Sequence, residues 1–284
     1  MINRHQCIFA LGILAAPCIA LAQTSSPWLP IPGQASVGLS YTGQSGDSAY
    51  IGSTKLPIAG ITGGGATKYK RSTTGVNVNY GLSESIAFDG SINYVDVKVG
   101  AADKDNGLGD TSIGVRYRIF DEFEGGGVPT VTFRLGALIK SGYDGARLAA
   151  IGKAANGFEF SALVGKQLTR DFSVQGELGV QSRSKSVPNA TVFDIGARYR
   201  IGSGLSVNAG YNSKKYGGNL DIGGPGFSLD KFQQVREERS GFRFGAGYGI
   251  APNQSLDLTF AQVSSGRNTV KDDRTIRLGY TAGF

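Results

Sequence analysis

The sequence predicts an all-β chain, a closed antiparallel transmembrane β-barrel of about 12 strands. Three observations predict it. Apolar and polar residues alternate with period two in one segment after another, the connections between segments are alternately short and long, and the chain ends on an aromatic residue in phase with the last alternating run. Successive side chains of a strand point to opposite faces, so each such segment has one apolar and one polar face.

Residues 1–22 read as a secretory signal peptide: Arg4 and His5 form a polar start, 7–16 an apolar core, and Ala20-Leu21-Ala22 a small-x-small cleavage site. The apolar run is too short for a helical span of ~20 residues, and Pro17 interrupts it. Removing 22 of 284 residues leaves 262, and takes with them Cys7, Cys18 and His5, which are both cysteines and the only histidine. The remaining chain has no disulfide to form. It has no thiolate or imidazole for a zinc or copper site. It also lacks the usual general base for a serine or cysteine nucleophile, so no catalytic residue, metal site or cofactor is expected. Barrel hydrolases and proteases depend on a histidine, and the reading is therefore that of a protein that is not an enzyme. The formal charge of +7 falls to +6 without Arg4. Strand placement accounts for that excess, and no stacking or helix motif points to nucleic acid.

The alternation is plain in 110–120 (DTSIGVRYRIF), where Ile113, Val115, Tyr117 and Ile119 oppose Gly114, Arg116 and Arg118. It recurs in 191–201, where Phe193, Ile195, Ala197, Tyr199 and Ile201 oppose Asp194, Gly196, Arg198 and Arg200, and in 241–250 around Arg243. The twelve segments run approximately 35–44, 69–81, 86–98, 109–120, 129–140, 157–167, 172–183, 190–201, 205–215, 238–250, 255–265 and 273–284, so the barrel occupies 35–284. The connections 82–85, 121–128, 168–171, 202–204 and 251–254 are compact, whereas 45–68, 99–108, 141–156, 184–189, 216–237 and 266–272 are generally longer. Short turns on the periplasmic side opposite longer external loops are the outer-membrane pattern. A soluble sandwich cannot hide the charges of the polar face in its core. In lipid, only a sealed sheet satisfies every backbone group. Apolar residues therefore face lipid and charged ones face a lumen. Outward Tyr80, Tyr117, Phe133, Phe158, Phe160, Tyr199, Phe242, Tyr248 and Tyr280 are candidates for the two interfacial girdles.

The last residues, with Arg277, Gly279, Ala282 and Phe284, read polar-x-Gly-x-x-apolar-x-aromatic. This resembles the C-terminal signal recognised by the barrel-assembly machinery, which a free edge strand can engage by strand addition.

Two stretches carry a family resemblance. Residues 80–90 (YGLSESIAFDG) and 106–119 (NGLGDTSIGVRYRI) resemble the strand–turn–strand and Gly-Leu-Gly-Asp opening of a family named after the meta-pathway of phenol degradation. The resemblance implies an outer-membrane channel, in the bacterial outer membrane, that passes small organic and often aromatic solutes. It carries over no substrate-binding residue.

The residues themselves point to a porin-like channel or to a closed structural or surface-interaction barrel. Inward basic residues are Arg116, Arg118, Arg134, Lys140, Arg198, Arg200, Arg243 and Arg277; inward acids are Asp89, Glu159, Glu177, Asp194 and Asp257. Fixed charge sets pore selectivity, so the basic excess favours anions. The same groups could instead brace the interior as ion pairs. Twelve strands give a backbone diameter of roughly 26 Å and a bore of roughly 10 Å once side chains are counted. The loop 216–237 with its Gly-Gly-Pro-Gly run is either the candidate constriction or a merely external, mobile loop. The segment 23–34, rich in proline and carrying Trp28, is expected to be extended. It either plugs the lower lumen or leads into the first strand, with the lead-in as the preferred reading. Lys68, Lys70, Arg71, Lys214, Lys215, Arg236, Arg239 and Arg274 lie near the external rim, where they either meet the phosphates of lipopolysaccharide and other outer-membrane lipids or form a solvated loop rim. Residues 103–107 lack the third ligand of a calcium loop and read as a polar loop tip.

Overall fold

A computed structural model describes residues 26–284 except 63, 101–102, 125–126, 146–149 and 272–273. The expected signal peptide, 1–22, lies outside the described residues. The strands are β1 (Ala35–Gly46), β2 (Ser48–Ile51), β3 (Thr54–Pro57), β4 (Tyr69–Gly81), β5 (Ile86–Val99), β6 (Asp103–Leu108), β7 (Thr111–Phe120), β8 (Thr130–Ile139), β9 (Gly157–Gln167) and β10 (Phe172–Arg183). They continue with β11 (Ala190–Ile201), β12 (Leu205–Tyr216), β13 (Glu238–Ala251), β14 (Gln254–Arg267), β15 (Val270–Lys271) and β16 (Arg274–Gly283). Among the described residues one short helix, α1 (Ile58–Ile61), and a 3-10 turn at Leu229–Gln234 interrupt them.

Thirteen strands form one antiparallel sheet, which closes through the β4–β5 pairing. β6 pairs with residues 94–99 of β5, and β7 pairs with residues 86–91 of the same strand. β6 and β7 are thus two halves of one stave, and the barrel has twelve staves. The seam joins the two ends of the chain: β1 pairs with β16 from Ser36 to Ser45, and Ala35 and Phe284 exchange backbone hydrogen bonds of 3.1 and 2.8 Å. Among the described residues every stave therefore has two neighbours where the wall crosses the lipid, and only β6, above it, pairs with β5 alone.

Where the wall crosses the membrane its two faces differ sharply. Ile113, Val115 and Tyr117 of β7 are exposed outward, while Ser112 and Arg116 on the alternate face are buried. Leu135, Phe160, Leu178, Phe193, Phe244, Phe260 and Leu278 continue the outward apolar belt around the staves. A water-soluble monomer rarely exposes a contiguous apolar patch beyond a few hundred Å², so this belt belongs in lipid.

The expected loop 99–108 is largely strand β6. The cause is legible in β5, whose outer end reads Tyr94-Val-Asp-Val-Lys-Val99. Alternation continues there, but its sense inverts. Val95, Val97 and Val99 are buried inside, while Asp96 and Lys98 face outward. The β5–β6 hairpin rises above the lipid, where the outer face meets water and the inner face is capped by loops. The expected loops 45–68 and 266–272 likewise contribute β2, β3 and β15, which form a separate three-stranded sheet over the outer mouth.

Candidate channel lumen

Inward side chains of neighbouring staves meet in four groups among the described residues. Asp89 on β5 lies 3.4 Å from Arg116 on β7 and 2.7 Å from Arg134 on β8. Arg134 also donates to the Ser112 hydroxyl at 2.9 Å and pairs closely with Glu159 on β9, which accepts in turn from Gln181 on β10. Arg243 on β13 grips Asp194 on β11. Arg277 on β16 donates to Asp257 on β14 at 2.6 Å. Glu177 accepts from Ser161 at 2.8 Å. Buried ions are tolerated when each has a partner of good geometry, and these pairs span adjacent or next-nearest staves.

Inner-wall glycines make that geometry feasible. A Cβ on Gly114 or Gly136 would stand 2.7 Å from a guanidinium nitrogen of Arg134. The arginine therefore lies flat on the wall across two glycine positions instead of projecting into the bore. Glycine weakens a strand interior, but here it admits a close side-chain approach.

The other expected lumen residues fall as follows. Arg118 pairs with Asp121 at 2.7 Å near the periplasmic rim. Arg198 donates to the Ser206 hydroxyl at 2.9 Å. Arg198, Arg200, Arg116 and Asp257 line a cavity of about 310 Å³ in the periplasmic half. Lys140 departs from the expectation. Strand β8 stops at Ile139, the Lys140 N–H turns to the Asn156 side chain at 2.9 Å, and the residue is exposed at the outer rim. In the proposed assembly signal, Arg277 and Gly279 face Asp257 inside, Ala282 sits opposite Val37 and Gln254, and Phe284 is 77% exposed.

Both ends of the lumen are covered. At the periplasmic end the segment before β1 is not a plain lead-in, which corrects the preferred reading. Pro27 is fully buried, its carbonyl accepts from Thr132 at 2.6 Å, and the Ser26 carbonyl accepts from Arg116 at 3.3 Å. The Trp28 indole N–H donates to Glu122 at 2.8 Å. A Cβ on Gly165 would collide with Pro27 and Trp28, so the wall is recessed there. A proline cannot donate to a ladder; its bare carbonyl and those beside it instead satisfy inward donors of the wall.

At the outer end the described residues of 141–156 reach across the mouth beside the expected loop 216–237. The former loop joins β8 to β9, yet it reaches β4, where Arg71 donates to the Ile151 carbonyl at 2.7 Å. It also reaches the far side, where Lys153 pairs with Glu237 at 2.8 Å and stands 4.5 Å over the Tyr216 ring. Tyr143 donates to Asp110, which also accepts from Arg183 at 2.7 Å. Ile151 packs into an apolar cluster with Ile58, Ala66, Tyr69, Val95, Val97 and Val99. Burial favours the neutral form of Glu237, but Lys153 outweighs it and holds the carboxyl below its ordinary range. Burial would also lower the Lys153 ammonium, and Glu237 with Tyr216 holds it above its ordinary value. The loop 217–237 packs alongside, anchored where Asp221 accepts from Arg267 and from Asn268, the latter at 2.7 Å.

Sequence reasoning missed this apolar cap. Its signal was the inverted alternation of 94–99 and the two apolar pairs Ile58-Ala59 and Ala150-Ile151 inside expected loops. Of the expected rim cations, Arg71 turns inward, Lys214 lies 5.1 Å over the Tyr216 ring, and Arg236 pairs with Glu238 at 2.6 Å.

Comparison with known proteins agrees with this architecture. The family described as "Putative MetA-pathway of phenol degradation" matches residues 52–277. An outer membrane channel from Pseudomonas putida F1 superposes with a TM-score of 0.72 at 16% identity, covering 93% of this chain and 100% of that one. The NanC porin gives 0.53 at 12% identity, covering 86% and 98%, and the KdgM porin gives 0.52 at 9% identity, covering 88% and 99%. Among curated proteins none matches the sequence.

Proposed function

The chain belongs to the family described as the putative MetA-pathway of phenol degradation, and we propose that it is a porin-like channel of the bacterial outer membrane for passive passage of small organic solutes. The observation that carries this reading is an apolar outer wall around an interior that holds fixed charges and a cavity of about 310 Å³. That volume is within the roughly 300–1,000 Å³ of small-molecule sites. Three arginines against one aspartate line it, which favours an aromatic or other organic anion over a cation. The chemistry asked of the protein is selection by size and charge, with no bond made or broken. Barrel-assembly machinery engages the strand that ends at Phe284, and outer-leaflet lipid surrounds the belt.

A closed barrel is the second reading, and the ion-paired interior with covers at both ends favours it. Liposome swelling separates the two. Vesicles carrying the refolded protein should swell in benzoate faster than in a benzylammonium salt of equal size. Swelling no faster than protein-free vesicles in either solute would leave the closed barrel standing.

A further inference from the structure

The β5–β6 hairpin places cations where a sheet should not have them. Lys70 on β4 is directly opposite Lys98 on β5, and Lys98 is directly opposite Lys104 on β6. All three are exposed on the outer wall. Directly opposed residues stand only about 4.5–5.5 Å apart at Cα, and like charges so placed destabilise a sheet. The row continues across Ser45 of β1 to Arg274 of β16, also exposed. Asp96, 3.4 Å from Lys98, offsets part of the charge.

The rows below fix the depth. Two positions down lie Ser72, Asp96 and Asn106; two further down lie Thr74, Tyr94 and Leu108, with Tyr41 beyond Thr74. The Tyr94 hydroxyl hydrogen-bonds Asn106 at 3.2 Å. Tyr41, Tyr94 and Leu108 are half-exposed to the outside and begin the apolar belt. A tyrosine row with its hydroxyl pointing up marks the upper interface. Lys98 is four residues above Tyr94, or ~13 Å along a strand. The lysines therefore stand at the level of lipid headgroups on the external side.

We propose that Lys70, Lys98 and Lys104 form a binding site for the phosphates of the outer-leaflet glycolipid, the bisphosphorylated lipid A part of lipopolysaccharide. Ammonium groups crowded against one another in water become favourable around a multiply charged anion. Acyl chains of that lipid would lie along Tyr94, Ile92 and Leu108 below. The site rests on the outer-membrane reading, with β6 as the external end of its stave.

The test uses the full chain refolded in detergent, with native mass spectrometry of added lipids. Bisphosphorylated lipid A should bind at least tenfold tighter than its dephosphorylated form. The variant Lys70→Gln/Lys98→Gln/Lys104→Gln should lose that preference while keeping the gel shift of a folded barrel. Lys98→Gln alone should raise the thermal midpoint without lipid A and lower it with lipid A bound, relative to the native chain. Equal binding of both lipid A forms, an unchanged preference in the triple variant, or phosphatidylglycerol binding as tightly as lipid A would overturn the site. Failure of the native chain to fold in bilayers or to fractionate with outer membranes would instead strike the membrane reading beneath it.

Discussion

Replacing Arg134 by methionine should cost more than any other single change on the inner wall. Arg134 is 2% exposed, lies 2.7 Å from Asp89, and also pairs with Glu159. The loss falls unequally. Asp89 keeps Arg116 at 3.4 Å, whereas Glu159, 3% exposed, keeps only the uncharged Gln181 among the partners described above. Removing one partner of a buried pair costs about 3–5 kcal/mol, mostly the stranded charge. Adding Glu159→Gln should therefore recover more than half of the loss, while adding Asp89→Asn should recover less. Arg134→Lys should be intermediate, because a point charge cannot reproduce the planar fork. Urea titration of the barrel in lipid vesicles gives each value from the midpoint and slope. A loss under about 1 kcal/mol for Arg134→Met, or equal rescue by the two carboxylate changes, would refute the assignment of Glu159 as the stranded group.

Three further outcomes follow from the covers and the seam. Trp28→Ala with Thr132→Val removes two anchors of the periplasmic segment, the Glu122 bond of 2.8 Å and the Pro27 bond of 2.6 Å. Benzoate-driven swelling should rise severalfold, and an unchanged rate would show that this segment does not limit passage. The Lys153–Glu237 clasp should hold the outer loop only in a middle pH range. The folded Glu237 carboxyl is depressed, so its contribution is present above its unfolded value near ~4.3 and is lost as pH falls through the lower folded value. The folded Lys153 ammonium is raised, so its contribution is present below ~10.4 and is lost as pH rises through the higher folded value. A spin label at Gly142, where a side chain would meet nothing within 4 Å, should show a narrow distance distribution to β4 between those limits and a broad one outside them; Glu237→Gln should abolish the acid transition. Phe284→Ala should leave refolding in detergent unchanged but lower the folded yield in cells severalfold, read by the gel shift of unheated samples. Equal yields would argue against Phe284 as an assembly signal.

The barrel was legible because lipid imposes a rule on every stave: the outward face must be apolar and each backbone group paired. Arg116, Arg134, Arg243 and Arg277 could be placed on the inner face from alternation alone. Their partners could not, since pairing depends on register between staves, as in Asp257 opposite Gly279 and thus beside Arg277. The rule also ends where the lipid ends. Residues 94–99 keep the period but reverse its sense, so the lipid rule reveals neither β6 nor the apolar cap of Val95, Val97, Val99 and Ile151. Trp28 and Pro27 give no periodic signal, because their fit depends on Gly165 and on Glu122, the latter 94 residues from Trp28 in sequence. The lysine row is hidden for the same reason: only the register shows that Lys98 faces Lys70 on one side and Lys104 on the other.

The most direct test is single-channel recording of the refolded protein in a planar bilayer under a salt gradient. Discrete conductance steps with a reversal potential on the anion side are the predicted result. Arg198→Glu with Arg200→Glu should move that potential toward the cation side. A protein that inserts, shown by protease protection of its staves, yet passes no current at any voltage would contradict the channel.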